Sequence, residues 1–549
     1  MKNFKYKIVL VFTAISLLFG VESCETIELE ILDSPNALTP EQSSPDFFVN
    51  SIQLSLADFF FEMTEPGQEL TRIIHMFGPL YQNAYAPQDF DTAWSIAYAE
   101  IMADVRSLEP LAEDQELYTH LAIGQIAEAY AITTIVDFFG DVPYRESNDG
   151  VTINPAADPG AQIYQDMLDL LDEAIANFQR DEIRLPDNDF FYGGDEDKWI
   201  ALANTLKIKI HLQQRLVTPS ESASAINAII ASGNYITDSD GDWKFQFGTT
   251  DTNPDSRHPI FARNFVEAVG VNDYMSNHYM DLLLNQKSNP DPRTRYYFYR
   301  QLDRNAINTV EQDCVGNLPP AWYGFSIPFC NLTENPGYWG RDHGYELGIP
   351  PDTGIRAAWG LYPVGGKFDA DDFESIPGRN IGTVGAGIEP MMMASFVDFM
   401  LAEAALELGT TGNARAYLES GIRESIGTVI DFRPDLVDET FAPTTAEIDD
   451  YVAEVLADFD AASNDDKLNI IADEYWIALY GNGIEAYNTY RRTGKPDNLQ
   501  PLLREDTDRF LRSLLYPDVY VQQNANASQK PDVFQKVFWD TNPDNGFIN

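Results

Sequence analysis

Between Gln162 and Phe178 the apolar residues Ile163, Met167, Leu170, Ala174 and Phe178 step by three or four, which lines one face of a helix. The same spacing returns at Ile123, Ile126 and Tyr130, and at Phe396, Met400, Ala404 and Leu408. Around Ile123 the neighbours Ala122, Gly124, Ala127, Ala129 and Ala131 are small, so a second helix can approach closely. A chain patterned this way must fold as helices that bury one stripe each, and short links decide which helices pair. Gly409-Thr410-Thr411-Gly412 separates the Phe396 helix from one over Tyr417 to Ile426, so these two form an antiparallel hairpin. Another helix runs from Asp465 to Leu479 and breaks at Gly481-Asn482-Gly483. Helix hairpins suggest a tetratricopeptide-like solenoid, although no 34-residue self-similarity is visible in the sequence.

The middle of the chain has a different texture. From Asn234 to Glu389 it is rich in Gly, Pro, Asp and aromatics, with stretches such as DPRTRYYFYRQ and GYWGRDHGYELGIPPD. Long irregular stretches within a domain are usually functional surfaces. The division is therefore a helical scaffold over 47–233 and 390–515, interrupted by a loop-rich insert over 234–389, in one domain spanning 47–549.

The N-terminus directs this body out of the cell. Lys2, Lys5 and Lys7 precede an apolar run from Ile8 to Phe19, the layout of a secretory leader. That run falls short of the roughly 20 residues a membrane span needs. Cys24 stands at the cut site and resembles a bacterial lipobox, whose thiol is lipidated. Glu22 departs from the small residue usual there, and an exported protein with a coincidental cysteine is the alternative. Residues 1–23 thus read as a leader and 24–46 as a lipidated acidic tether punctuated by Pro35, Pro40 and Pro45. No later stretch reads as long and apolar enough to cross a bilayer, so the lipid is the expected membrane attachment.

Charge narrows the partners. The chain carries a formal charge of −50, which repels phosphate backbones and makes nucleic acid a poor partner. Cys314 and Cys330, the other two of three cysteines, read as a disulfide in an oxidising compartment. A metal site is the rival reading, but it needs more soft ligands than two thiols, and no CxxC or HxxxH spacing is present. Asp238, Asp240 and Asp242 share the first spacings of an EF-hand loop, but Trp243 occupies the place of its glycine and Thr249 that of its glutamate. No metal, cofactor or catalytic residue is expected. Arg341-Asp342-His343 is the one cluster resembling a catalytic set, and adjacent residues rarely converge on one atom.

Five segments, taken together, carry a resemblance: DFFGDVPYRES at Asp137–Ser147, NPAADPGAQIYQDMLDLLDEAI, YGGDEDKWIALANTLKIKIHLQQR from Tyr192, EPMMMASFVDFMLAEAALELG from Glu389, and YWIALYGNGIEAYNTYRRTGKP from Tyr475 to Pro496. Their order and spacing, with the lipoprotein start, resemble the SusD/RagB-type nutrient-binding lipoproteins of bacterial outer membranes. The resemblance implies a mostly α fold: a tetratricopeptide-like helix-hairpin scaffold with irregular ligand-binding loops. It implies a lipid-anchored, cell-surface protein that captures oligosaccharide or oligopeptide without catalysis. The implied partner is a SusC-like TonB-dependent barrel capped by this protein.

The motifs themselves read as architecture, with Arg491 and Arg492 pairing with carboxylates. A sugar needs an aromatic platform beside polar groups, which the sequence offers in two places. Trp322, Tyr323, Trp339, Arg341, Asp342 and His343 lie in the insert, with Tyr345 nearby; His75, Tyr81, Gln82, Asn83, Tyr85 and Trp94 lie near the start of the domain. On this reading Trp339→Ala weakens binding and leaves the melting curve nearly unchanged. The alternatives are a surface-anchored glycoside hydrolase, or a lid whose loops serve only the barrel.

Overall fold

The computed structural model describes residues 44–76, 81–266, 273–303, 337–345, 356–376, 378, 380–502 and 509–548. Cys24, Cys314, Cys330, Trp322 and Tyr323 lie outside the described residues. The body spans Pro45–Asn549, and its first helix, α1, is Pro45–Leu70. Pro45 and Asp46, which the sequence reading placed in the tether, therefore belong to the body. The Asp46 carboxylate is buried, accepting from Arg184 Nη1 and the Asp187 N–H at 3.0 and 2.9 Å, so it fastens the domain's first turn to a distant loop.

α1 packs on α2 (Ala103–Gln115), which continues a π-helical stretch over Ile96–Met102. Then follow the paired helices α3 (Tyr118–Phe139) with α4 (Gly160–Phe178), and α5 (Glu196–Gln213) with α6 (Pro219–Ser232). A short helix of the insert, α7, spans Asn277–Asn285. After it come α8 (Ala394–Glu407) and α9 (Ala414–Ile430), paired as expected, then α10 (Thr445–Ala461), α11 (Asn464–Ala478) and α12 (Gly483–Thr493). Contacts of α1 with α3 and of α4 with α5 stack successive pairs. The fold is the mostly α, tetratricopeptide-like one that the sequence implied.

Local chemistry sets the boundaries. In α4 the periodic residues Ile163, Met167, Ala174 and Phe178 are buried, but Leu171 rather than Leu170 completes the stripe. Asn413 caps α9 by accepting from the Ala416 N–H at 3.0 Å, after Gly412 at φ +119° turns the chain. A reciprocal capping box, Thr444 with Glu447, starts α10. α3 corrects one expectation: its 22 residues are long and apolar enough to cross a membrane. All of them are buried inside the domain, because α3 has neighbours on every side.

Four short strands tie down the insert. β1 (Trp243–Gln246) pairs antiparallel with β4 (Ile388–Met392), matching Phe245 to Glu389. β2 (Phe298–Tyr299) pairs with β3 (Ala358–Trp359). Since β1 lies at the start of the insert and β4 at its end, their pairing closes the base of the loops against the helices. One continuous apolar core runs from Val49 to Trp539.

Candidate functional site

The motif residues meet in one buried polar network. Asp137, fully buried near the end of α3, accepts from Asn488 Nδ2 at 2.7 Å and Trp539 Nε1 at 3.0 Å, and from the Tyr164 hydroxyl. Arg491 donates to the carbonyls of Asp137 and Arg512 at 2.7 and 2.8 Å, and its guanidinium lies 3.7 Å from the Tyr487 ring centre. Arg492 grips Glu403 at 2.7 and 2.8 Å, and Arg215 reaches the same carboxylate at 2.8 Å. Burial would raise the Glu403 pKa, but the guanidinium groups of Arg492 and Arg215 outweigh it and hold Glu403 below the usual range. The pairing expected of both arginines is thus correct for Arg492. Arg491 departs from it: its Nη1 donates to backbone carbonyls and its Nη2 to Asn488 Oδ1 at 2.7 Å, since the carboxylate of Asp137 is already engaged.

Next to α3, Gly140 at φ +86° ends the helix and Val142 bridges to Asp158. The Asp158 carboxylate then accepts from the N–H groups of Tyr144 and Arg145 at 3.0 and 2.9 Å. The network residues Asp137, Asn488, Arg491 and Arg492 are buried, where a soluble ligand has no access, whereas Arg145 lies at the surface and pairs with Asp166 at 2.7 Å.

The aromatic and polar candidates of the sequence divide into two groups. Arg341 lays its guanidinium 4.3 Å from the Tyr274 ring centre, and His75 meets the same ring edge-on at 5.8 Å. Gln500 bridges the next two residues: its Nε2 donates to Asp342 at 2.8 Å, and its Oε1 accepts from the His343 N–H at 2.9 Å. The His343 ring lies 6.1 Å from Tyr81, whose hydroxyl accepts from Arg72 at 3.2 Å. Burial and the nearby Arg341 and Arg356 push His75 down to about 3, and burial with Arg72 lowers His343 too. The side chains of Arg341, Asp342 and His343 therefore face different groups, Tyr274, Gln500 and Tyr81 respectively, and do not converge on one atom.

Tyr85 and Trp94 belong elsewhere. The Tyr85 hydroxyl donates to Glu69 at 3.0 Å, and Trp94 stacks on Tyr520 at 4.7 Å with Phe139 edge-on at 5.7 Å. Gln82 and Asn83 sit in the short helix Tyr81–Ala84, their side chains outside the described residues. Tyr81, Tyr85, Trp94 and Trp339 are 0, 4, 6 and 3% exposed, so none of these rings presents an open face. The EF-hand-like aspartates are engaged as well: Asp240 pairs with Lys198 at 2.9 Å, and Asp242 accepts from the Ala394 N–H at 2.8 Å, capping α8. Among the described residues no group of three His, Cys, Asp or Glu side chains is placed to hold a metal.

An open cleft of about 600 Å³ lies instead between the insert and the loop leading into α10. Asn289, Asp291, Arg295, Arg300 and Tyr338 form one wall, and Phe441 with Thr444 and Glu447 forms the other. Sequence reasoning quoted the stretches that hold Arg295, Arg300 and Tyr338 but did not single them out. Phe441, in a segment far away along the chain, carried no signal that could have joined it to them.

The chain is thus a helix-hairpin scaffold interrupted by a strand-tied insert of loops. Two family models cover the chain: "Starch-binding associating with outer membrane" matches residues 35–327, and "Susd and RagB outer membrane lipoprotein" matches residues 383–534. The chain belongs to the SusD-like family. No curated protein matches it by sequence. Solved structures agree in fold. A chitin-binding SusD homologue from Flavobacterium johnsoniae is 18% identical, covers 91% of this chain and 100% of its own, and superposes with a TM-score of 0.65. A SusD/RagB family protein from Bacteroides thetaiotaomicron is 17% identical with the same coverage and a TM-score of 0.65. A SusD homologue from Bacteroides uniformis is 18% identical over 90% of this chain and 99% of its own, with a TM-score of 0.64.

Proposed function

We propose that this chain is a lipid-anchored protein of the outer-membrane surface that captures oligosaccharide and passes it to a SusC-like TonB-dependent transporter. The observation that carries this reading is the family match across both halves of the scaffold, which runs from each side into the strand-tied insert. The chitin-binding description of a structural neighbour favours sugar over oligopeptide. In this reading Cys24 carries the lipid, and Cys314 and Cys330 close a loop of the insert. Trp322 and Tyr323 remain the aromatic contacts, while Tyr81, Trp339, Arg341, Asp342 and His343 brace the loops from beneath. Gln82 stays a contact candidate; Tyr85 and Trp94 act through packing.

Calorimetry of the full chain against neutral glucans, mannans, xylans, chitin oligosaccharides, sulfated glycans and a peptide mixture tests the reading. Saturable binding to one sugar class, with no sugar released, is the expected result. Released sugar would make the protein a glycoside hydrolase. Binding to none of these, together with co-purification with its barrel, would leave only a lid.

A further inference from the structure

We propose that the cleft between the insert and α10 is a subsite for a neutral oligosaccharide, with Phe441 and Arg295 as its contacts. The inference rests on the carbohydrate-binding reading and adds a place and a ligand class to it. A volume of about 600 Å³ lies within the ~300–1,000 Å³ of small-ligand pockets.

The walls are held before any ligand arrives. Glu454, on α10, accepts from the N–H groups of Ser288 and Asn289 at 2.7 and 2.9 Å and from Asn289 Nδ2 at 2.8 Å. Those three bonds pin the insert to the scaffold beside the cleft. Beneath them Asp291 takes Arg293 in a two-point pair at 2.9 and 2.6 Å, and Arg293 also donates to Ser425 of α9 at 2.8 Å. Pre-ordered walls spare a ligand the entropy of fixing them.

The polar groups suit hydroxyls. Arg295 is held through Nη1, which donates to the Asp369 carbonyl and the Asp371 carboxylate, both at 2.8 Å. Among the described residues its Nε and Nη2 make no hydrogen bond, its side chain is 31% exposed, and its guanidinium lies 4.9 Å from the Phe441 ring centre. A half-buried aromatic ring against an oriented guanidinium is what a sugar ring needs: an apolar surface for its C–H face, and donors for its hydroxyl oxygens. Deeper in, Arg300 is matched to Asp369 at 2.6 and 3.0 Å and lies 4.7 Å from the Tyr338 ring centre.

Charge selects the ligand class. The guanidinium groups of Arg295 and Arg300 face the carboxylates of Asp369 and Asp371, and Arg293 answers Asp291. Glu447 adds a further carboxylate at the rim, bonded to the Thr444 N–H at 2.7 Å. Among the described residues of the cleft these carboxylates match the guanidinium groups, leaving no net positive charge for a uronate or sulfate, and the chain's overall charge of −50 opposes one.

The test titrates the full chain with hexasaccharides of maltose, cellulose, mannan, xylan and chitin type, with trigalacturonate as the charged comparison. Amide hydrogen exchange and calorimetry are the readouts. Expected is slowed exchange in 284–300 and 436–447 with at least one neutral sugar and none with trigalacturonate. Phe441→Ala and Arg295→Gln should each weaken that sugar tenfold or more, with melting temperature kept by Arg295→Gln even if Phe441→Ala lowers it. Binding of a neutral sugar with no protection there, and with both variants within twofold of the parent, overturns the cleft and leaves carbohydrate binding standing. Protection by trigalacturonate alone overturns the neutral assignment. Failure of every sugar overturns both readings.

Discussion

Gly67 and Gly483 touch backbone to backbone: a Cβ on Gly67 would stand 2.1 Å from the Gly483 carbonyl oxygen, and one on Gly483 would stand 2.0 Å from the Thr64 carbonyl oxygen. The Gly483 N–H also donates to the Thr64 hydroxyl at 2.6 Å, and the Gly481 N–H to Gln68 at 3.1 Å. The GNG break is thus where the late helix α12 crosses the first helix α1, and the side-chain-free positions make the crossing possible.

Gly67→Ala should therefore destabilise the domain by about 3 kcal/mol, the upper range of overpacking. Gly427→Ala is the control: it lies in α9, where an added Cβ meets nothing within 4 Å. The control should leave stability unchanged or raise it by up to about 1 kcal/mol. Urea denaturation midpoints read both.

Glu403→Ala leaves the guanidinium groups of Arg215 and Arg492, 6 and 3% exposed, without their shared carboxylate. The loss expected is on the order of 3–5 kcal/mol, because uncompensated buried charge is costly. Glu403→Gln, which keeps acceptor and shape, should lose less. An equal loss in the two variants would show that the charge alone, and not the acceptor or the shape, is what matters there.

Trp339→Ala is expected to act on stability, contrary to the sequence expectation of a pure binding loss. Trp339 is 3% exposed and its carbonyl accepts from the Ala357 N–H at 2.7 Å, so the ring is packed within the insert. Truncation should cost about 3–5 kcal/mol. A melting curve like the parent's would restore Trp339 as an open ligand platform.

Asp242 should make stability fall with rising pH. Burial pushes its carboxyl up to about 6, against the opposing Ala394 N–H and Lys244. Between the usual value of about 3.9 and 6, the folded protein keeps a proton that the unfolded chain has released. Stability is therefore full below that window and is lost as pH rises through it, by up to about 3 kcal/mol. Asp242→Asn should flatten this part of the profile, seen as a smaller difference in denaturation midpoint between pH 4 and 6.5. Asp46 works in the other sense: Arg184 holds its carboxyl below the usual range against burial, so its contribution is present near neutrality and is lost in acid.

Helices were legible because their signal is local. Three- and four-residue steps marked α4 and α8, Gly409 and Gly412 marked the turn between α8 and α9, and Gly481 marked the break after α11. The motif order pointed to the family for the same reason, as each motif is a short string. The ligand face was not legible in this way. Trp94 and Trp339 have the composition of a sugar platform, but whether a ring is open depends on what lies over it, and for Trp94 that is Tyr520. Phe441 and Arg295 form a corner of the cleft only because Glu454 draws the insert against α10.

The sequence by itself determined the helical class, the irregular insert and the family, all properties of spacing within a few turns of chain. Only the tertiary structure decided which residues those motifs serve. Asp137 bonds Asn488 and Trp539, respectively 351 and 402 positions away. Such pairings depend on how helices stack in space, and a buried carboxylate must find its donors wherever the fold brings them. Spacing along the chain sets which face of a helix is apolar; the partner that covers that face comes from the packing of the whole domain.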